Sequence, residues 1–99
     1  MKKYKIVADP RVADDLKQAK DFLNARRKGF GTKFLNEYRG FLKTLEINPE
    51  FQIRYKDFHC LPLKTFKYMI HFKIDYTNKT VNIYAVLSTY QDPMKHWLK

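Results

Sequence analysis

The stretch "FKYMIHFKID", residues 66–75, alternates apolar and polar side chains along its whole length. Because successive side chains of a β-strand point to opposite faces, this period of two predicts a strand with one buried face. We expect the inward face to carry Phe66, Tyr68, Ile70, Phe72 and Ile74. The other face would then carry Lys67, Met69, His71, Lys73 and Asp75.

A second strand follows after a short turn. The segment "YTNK" (76–79) has the residues of a turn, with Asn78 near its tip, and "TVNIYAVLS" (80–88) resumes the alternation. The expected inward residues of this return strand are Val81, Ile83, Ala85 and Leu87. Asn82, Tyr84, Val86 and Ser88 would face the other way. Before this hairpin, residues 51–64 predict one or two more strands, with Pro62 at an edge or a bulge.

The first half of the chain has helical spacing instead. A short strand over 4–9 leads to Asp9-Pro10, a pair typical of a helix start, and the first helix should run to about Arg27. Gly29 and Gly31 are expected to break it, and a second helix should end at Asn48-Pro49. The first apolar stripe comprises Val12, Leu16, Ala19 and Leu23, with Phe22 beside it. The second comprises Phe34, Tyr38, Phe41 and Leu45, with Leu42 beside it, and is expected to be core.

The predicted order is β-α-α-β-β-β in a single domain over residues 1–99. A helix hairpin must cover its apolar stripes, and the inward strand face offers the matching surface. The expected fold is therefore α+β, with the two-helix hairpin packed on one face of a small antiparallel-rich sheet. The opposite sheet face is partly polar and basic, and it is the natural place for a site.

The charge balance limits the function classes. Twenty Lys and Arg against ten Asp and Glu give a net charge of +10 over 99 residues. Such an excess favours polyanions or acidic partners, although a solubilising surface is the alternative. A single cysteine, Cys60, excludes an internal disulfide and a cysteine-based zinc site, and reads as a small core residue. His59 and His96 lack partners at ligand spacing, so we expect neither a metal nor another cofactor.

The chain has no apolar stretch near the roughly 18 residues of a membrane span, and no apolar run follows its charged start as in a signal peptide. We therefore expect a cytoplasmic protein without a membrane partner.

Four stretches, taken in order, resemble the RelE/ParE superfamily of toxins from bacterial type II toxin–antitoxin modules, which includes plasmid stabilisation proteins. They are the opening strand with "DPRVADDLKQAKDFL", the helix ending "LEINPE", "LPLKTFKYMIHFKID", and "VNIYAVLSTYQDPMKHW". Each alone is mostly hydrophobic pattern, but their joint order and spacing cover nearly the whole chain.

The resemblance implies a growth inhibitor that a cognate antitoxin neutralises, with toxin and antitoxin forming an oligomer. It leaves two targets open, because RelE-like members cleave mRNA on the ribosome whereas ParE-like members inhibit DNA gyrase. One fold serves both mechanisms, so the site residues must decide between them.

RNA cleavage needs a base, an acid and cations that stabilise the charge on phosphate. By resemblance, Lys64 and Tyr90 stand at positions available for this, and His71 and Lys73 on the open sheet face could complete a substitute site with them. Met69, Ser88 and Gln91 stand where the ribonuclease branch often has Arg, His and Arg, so three reactive groups are missing. His71 is either a proton shuttle or a half-exposed strand residue, and the second reading is favoured. These departures favour gyrase inhibition without cleavage, with the ribosome-dependent endoribonuclease as the alternative.

A basic cluster at the helix-hairpin tip is a candidate contact for the target or the antitoxin. It comprises Arg26, Arg27, Lys28 and Lys33, to which we add Lys67 and Gln91. The alternative is an ordinary solvated turn. Asp92-Pro93 and Trp97 are expected to fold the tail back onto the sheet. A basic RNA-binding module outside the toxin family is a further alternative, but it would expose its aromatic rings between cations, whereas most rings here lie on apolar stripes.

Overall fold

The structure, a computed structural model, describes residues 3–51 and 53–89. A first strand, β1 (Lys5–Ala8), leads into two helices, α1 (Arg11–Arg26) and α2 (Phe30–Ile47). Four strands follow: β2 (Ile53–Tyr55), β3 (Phe58–Pro62), β4 (Tyr68–Asp75) and β5 (Thr80–Ser88). The predicted α+β order is confirmed, and residues 51–64 supply two strands.

The strands form one five-stranded sheet in the order β1-β5-β4-β3-β2. β1 lies parallel to β5, and the other neighbours are antiparallel, as an antiparallel-rich sheet requires. Pro62 is the last residue of β3 and pairs with Met69 of β4. Among the described residues, the pairs between β2 and β3 reach only as far as His59, so the missing N–H of Pro62 costs no ladder bond to β2 there.

The start of α1 is fixed by Asp9. Its Oδ1 accepts the backbone N–H of Arg11 at 2.9 Å and the Arg11 Nε–H at 3.1 Å. These two hydrogen bonds hold the pKa of the Asp9 carboxyl below its usual value. The predicted helix start is therefore confirmed, with Pro10 immediately before the first helical residue.

The turn between the helices depends on one glycine. Gly29 has φ +89°, in the region that side chains disfavour. Gly31 was expected to break the helix as well, and this is wrong, because it lies inside α2. A Cβ on Gly31 would lie 2.7 Å from the Lys20 carbonyl oxygen, so its role is close packing of α2 on α1. Its N–H also donates to Asn24 Oδ1 at 2.8 Å.

The core lies between the helix hairpin and one face of the sheet. Phe34 and Leu45 of α2, and Ile70 and Phe72 of β4, have no exposed surface. Phe66 is also buried, but it precedes β4, which begins at Tyr68. The predicted inward residues of residues 66–75 all join this core, with Tyr68 and Ile74 partly buried at its margin.

β5 departs from the predicted alternation. Phe72 pairs with Ile83 and His71 with Ala85, so Tyr84 is an extra residue in β5. Such a bulge reverses the facing of every later side chain. Val86 therefore joins the core in place of Ala85 and Leu87, and the expectation for these three residues was wrong.

Neither helix in the described part of the chain is long and apolar enough to cross a membrane.

Candidate functional site

A groove opens between α1, the β3–β4 loop and the adjoining ends of β4 and β5. Its volume is about 650 Å³. From α1 it is lined by Phe22, Leu23 and Arg26, and from the loop and strands by Thr65, Phe66, Lys67, Tyr68 and Ser88. Below, "the groove" means the cavity lined by these eight residues.

The floor of the groove is aromatic and well supported. Phe66 packs edge-on against Phe34, with ring centroids 5.9 Å apart, and Tyr68 lies tilted at 5.1 Å from the same ring. Partial burial raises the pKa of the Tyr68 phenol, because burial disfavours the charged form. Phe22 differs from the others because 52% of its surface is exposed. An exposed large apolar side chain above a rigid aromatic floor is suited to contact with a partner.

Cations stand at the rim of the groove. The Arg26 guanidinium carbon lies 5.3 Å from the centroid of the Phe22 ring, a cation–π distance. Lys67 is exposed in the β3–β4 loop, and its carbonyl accepts the Thr89 N–H at 2.9 Å. The site therefore combines an apolar surface with positive charge.

A second cavity of about 400 Å³ adjoins the groove and shares Phe22 and Tyr68 with it. Its other described lining residues are Asp15, Gln18, Ala19, Val86 and Leu87. The Asp15 carboxylate accepts the Val86 N–H at 3.1 Å, which ties α1 to β5 beyond the bulge. The concave surface thus continues along α1 for about two helical turns, and the Asp15 and Gln18 side chains make this part more polar than the groove.

The hairpin tip, residues 26–33, meets the β3–β4 loop beside the groove. Phe66 of the loop packs edge-on against Phe30 at the start of α2, with centroids 5.8 Å apart. The Glu37 carboxylate accepts the Thr65 N–H at 2.8 Å and fixes the loop to α2. Through these contacts the structure brings Lys67 to the same end of the molecule as the predicted tip cluster.

The candidate catalytic residues are placed differently. Lys64 is exposed in the β3–β4 loop, whereas Lys73 pairs with Asn82 near the far end of β4. The strand rise separates Met69, at the loop end of β4, from Lys73 by about 13 Å. The structure therefore does not bring Lys64 next to Lys73.

Lys73 lies on the sheet face opposite the helices. Its Nζ is 4.7 Å from the Phe58 ring centroid and 5.9 Å from that of Tyr84. The two rings are themselves edge to face at 5.4 Å. This arrangement holds the ammonium group in one place on that face.

His71 was expected to be half-exposed, and this is wrong. Only 3% of its surface is exposed, and in the sheet it lies between Cys60 of β3 and Ala85 of β5. Its Nδ1 is 3.3 Å from the Cys60 Sγ. Cys60 is buried, as predicted for a small core residue.

Other positions add no reactive group. Met69 pairs with Leu87, and Ser88 lines the groove, so neither supplies the charge expected of a ribonuclease. Tyr90 and Gln91, together with the predicted tail contacts of Asp92-Pro93 and Trp97, lie outside the described residues. In the described part of the chain, no three His, Cys, Asp or Glu side chains come together as metal ligands do.

Sequence reasoning did not single out the groove itself. Phe22, Tyr68 and Thr65 line it, but none was a candidate site residue. One signal was available: Phe22 stands beside the first apolar stripe and one turn before Arg26, which predicts a large ring at an exposed helical position.

No family model matches this sequence, and no curated protein matches it. Solved structures do. A chromosomal ParDE toxin–antitoxin system from P. aeruginosa aligns with a TM-score of 0.74 at 13% identity, over 86% of this chain and 95% of that one. An archaeal RelE–RelB complex from Pyrococcus horikoshii OT3 gives 0.56 at 13% identity, over 90% and 98%. The isolated E. coli RelE toxin gives 0.52 at 12% identity, over 96% and 94%. The chain therefore has the RelE/ParE-like toxin fold.

Proposed function

We propose that this chain is the toxin of a type II toxin–antitoxin module, a growth inhibitor that a cognate antitoxin neutralises in the cytoplasm. The observation that carries the proposal is the structural match to a ParDE system over most of both chains. The sequence resemblance noted above also supports it, because it rests on the joint order and spacing of four motifs.

The groove supports an antitoxin partner. Phe22 and Tyr68 offer apolar contact, while Arg26 and Lys67 supply positive charge at the rim. A partly disordered acidic segment that folds on binding would match both properties. Complementary charge would speed its capture, and salt would slow it. Toxin and antitoxin would then form a mixed oligomer.

For the target we favour DNA gyrase, inhibited without RNA cleavage. Three observations support this. Lys64 lies away from Lys73, and His71 is buried. The uncharged Met69 stands where the ribonuclease branch often has Arg, and it pairs with Leu87. Losing one preorganised charge contact commonly costs about 100- to 1000-fold in rate. A ribonuclease built on these residues would therefore be weak.

The alternative is ribosome-dependent mRNA cleavage. The observation that favours it is Lys73, whose ammonium group is held by Phe58 and Tyr84 on the face opposite the helices. A fixed cation on that face could stabilise the charge that develops on a phosphate.

The deciding experiment is controlled expression in a bacterial host, alone and together with the small acidic-tailed reading frame expected beside this gene. The chain alone should arrest growth, and co-expression should restore it. The purified pair should also melt at a higher temperature than the chain alone, because the partner binds only the folded state. Harmless expression, together with no binding by the neighbouring product, would refute the proposal.

A further inference from the structure

The hairpin tip carries three cations that do not line the groove. Arg27 and Lys28 lie in the turn and Lys33 in the first turns of α2, and all three are exposed. Arg26, which ends α1, joins them to the groove rim. Within the residues that the structure describes, these four cations form no salt bridge with a carboxylate.

The tip cations are held over an aromatic ring. The Arg27 guanidinium carbon lies 5.3 Å from the Phe30 centroid, and the Lys33 Nζ lies 5.9 Å from it. Phe30 is half-buried beneath them. The ring therefore favours one arrangement of these two charged groups, so that binding an anion would cost less side-chain entropy than it does for lysines without such a contact.

The neighbouring loop extends the cluster. Because Phe66 packs against Phe30, Lys64 and Lys67 come to the same end of the molecule as the tip. The nearby Glu37 carboxylate is engaged by the Thr65 N–H and does not neutralise this end through a salt bridge in the described structure.

We propose that the hairpin tip binds the phosphodiester backbone of a nucleic acid. The tip presents charge but little apolar surface, since Phe30 is half-buried beneath two cations. A uniformly charged polyanion suits such a surface, whereas an amphipathic acidic peptide suits the apolar groove. Arg and Lys contacts to phosphate are independent of sequence, so the tip would supply affinity and orientation without base recognition. Binding through phosphate contacts differs from that of the RNA-binding module considered above, in which bases stack on exposed aromatic rings.

The test is fluorescence anisotropy of the purified chain with a labelled 20-base-pair DNA duplex and with an RNA duplex of the same sequence, over a series of salt concentrations. Each phosphate contact in B-DNA contributes about 0.9 to the slope of log K against log salt. The triple variant R27Q/K28Q/K33Q should therefore show a shallower salt dependence, with the magnitude of the slope reduced by about 2.7. The single variant K28Q should lower it by about 0.9, and it checks the result if the triple variant melts early.

A matched control separates the tip from overall charge. The variant K5Q/K43Q/K79Q also removes three exposed lysines, from β1, from the second half of α2 and from the β4–β5 turn. It reduces the net charge from +10 to +7, as the tip variant does. We expect it to retain nearly the full salt slope.

Three results would overturn the proposal: equal losses in the two triple variants, no binding to either duplex, or equally tight binding to polyglutamate. Tighter binding to one duplex would identify DNA or RNA as the source of the phosphates, and equal binding would assign the contact to the backbone common to both. The measurement does not depend on toxicity. A chain that is harmless and is not bound by the neighbouring product, but that binds duplexes through its tip, would refute the proposed function and leave this inference standing.

Discussion

Arg26 lies one helical turn beyond Phe22, and its guanidinium carbon is 5.3 Å from the centroid of the Phe22 ring. The ring is half-exposed, so it contributes contact surface to the groove without being needed in the core. Function and stability can therefore be separated at this position.

We predict that Phe22→Ala weakens antitoxin binding about 30-fold or more while the fold persists. An exposed aromatic anchor with an arginine beside it has the character of an interface hot spot, where truncation costs about 2 kcal/mol or more. The measurement is titration calorimetry with the purified antitoxin. Ile47→Ala is the control, because Ile47 is similarly exposed, at 56%, but lies at the far end of α2. If the two variants bind the antitoxin with equal affinity, the groove is not part of the antitoxin interface.

Phe72→Ala should destabilise the chain by about 3–5 kcal/mol. Phe72 has no exposed surface and lies in the core between the sheet and the helix hairpin, so truncation leaves a cavity. So large a loss threatens a domain of this size. Urea denaturation followed by circular dichroism measures the change. A midpoint within experimental error of the wild type would contradict the inward facing of β4.

Two glycines of α2 should respond in opposite directions to alanine. A Cβ on Gly31 would lie 2.7 Å from the Lys20 carbonyl oxygen, so Gly31→Ala should cost about 1–3 kcal/mol. Gly40 has open space around it, so Gly40→Ala should stabilise the helix by about 1 kcal/mol. Thermal unfolding of the two variants in parallel provides the comparison. Stabilisation by both substitutions would mean that α1 and α2 pack less closely than the structure shows.

Stability should fall in alkali through Tyr38. Burial raises the pKa of this phenol to about 12, above its ordinary value of 10.0. Its stabilising contribution is complete below pH 10, because the phenol is then neutral in both states. Between pH 10 and 12 the unfolded chain alone loses the proton, so stability declines by on the order of 2–3 kcal/mol. Tyr38→Phe should show a smaller decline over this window in urea titrations. An identical pH profile in the two proteins would contradict the burial of the hydroxyl.

The sequence was sufficient for the fold because two periodicities agree with each other. The period of two over 66–75 and the helical stripes of residues 12–45 define surfaces that can only cover one another. The bulge at Tyr84 was not predictable in the same way, because apolar residues on both sides of it fit either register. Only the pairing of His71 with Ala85 decides that Val86 faces the helices.

The site was predicted less well than the fold. The tip cations could be recognised from the local sequence, because they are close together along the chain. Lys67 comes near them through the contact between Phe66 and Phe30, and these two residues are 36 positions apart. The burial of His71 likewise depends on neighbouring strands rather than on its own segment. Side-chain convergence is set by tertiary contacts, which single-segment patterns do not contain.

Induction of the chain should produce no new codon-phased cuts in mRNA by primer extension, whereas reporters of DNA damage should rise if gyrase is trapped. The physical reason is the separation of Lys64 from Lys73 and the burial of His71, which keep these three candidate catalytic groups from meeting at one exposed site. The paired variants Lys64→Ala and Lys73→Ala should each leave growth arrest unchanged, because gyrase inhibition needs no phosphate chemistry at the sheet. Co-expression with the antitoxin is the control for toxin dosage. Sharp cuts at the ribosomal A site that disappear in Lys64→Ala or Tyr90→Phe would instead establish cleavage and reject gyrase inhibition as the main activity.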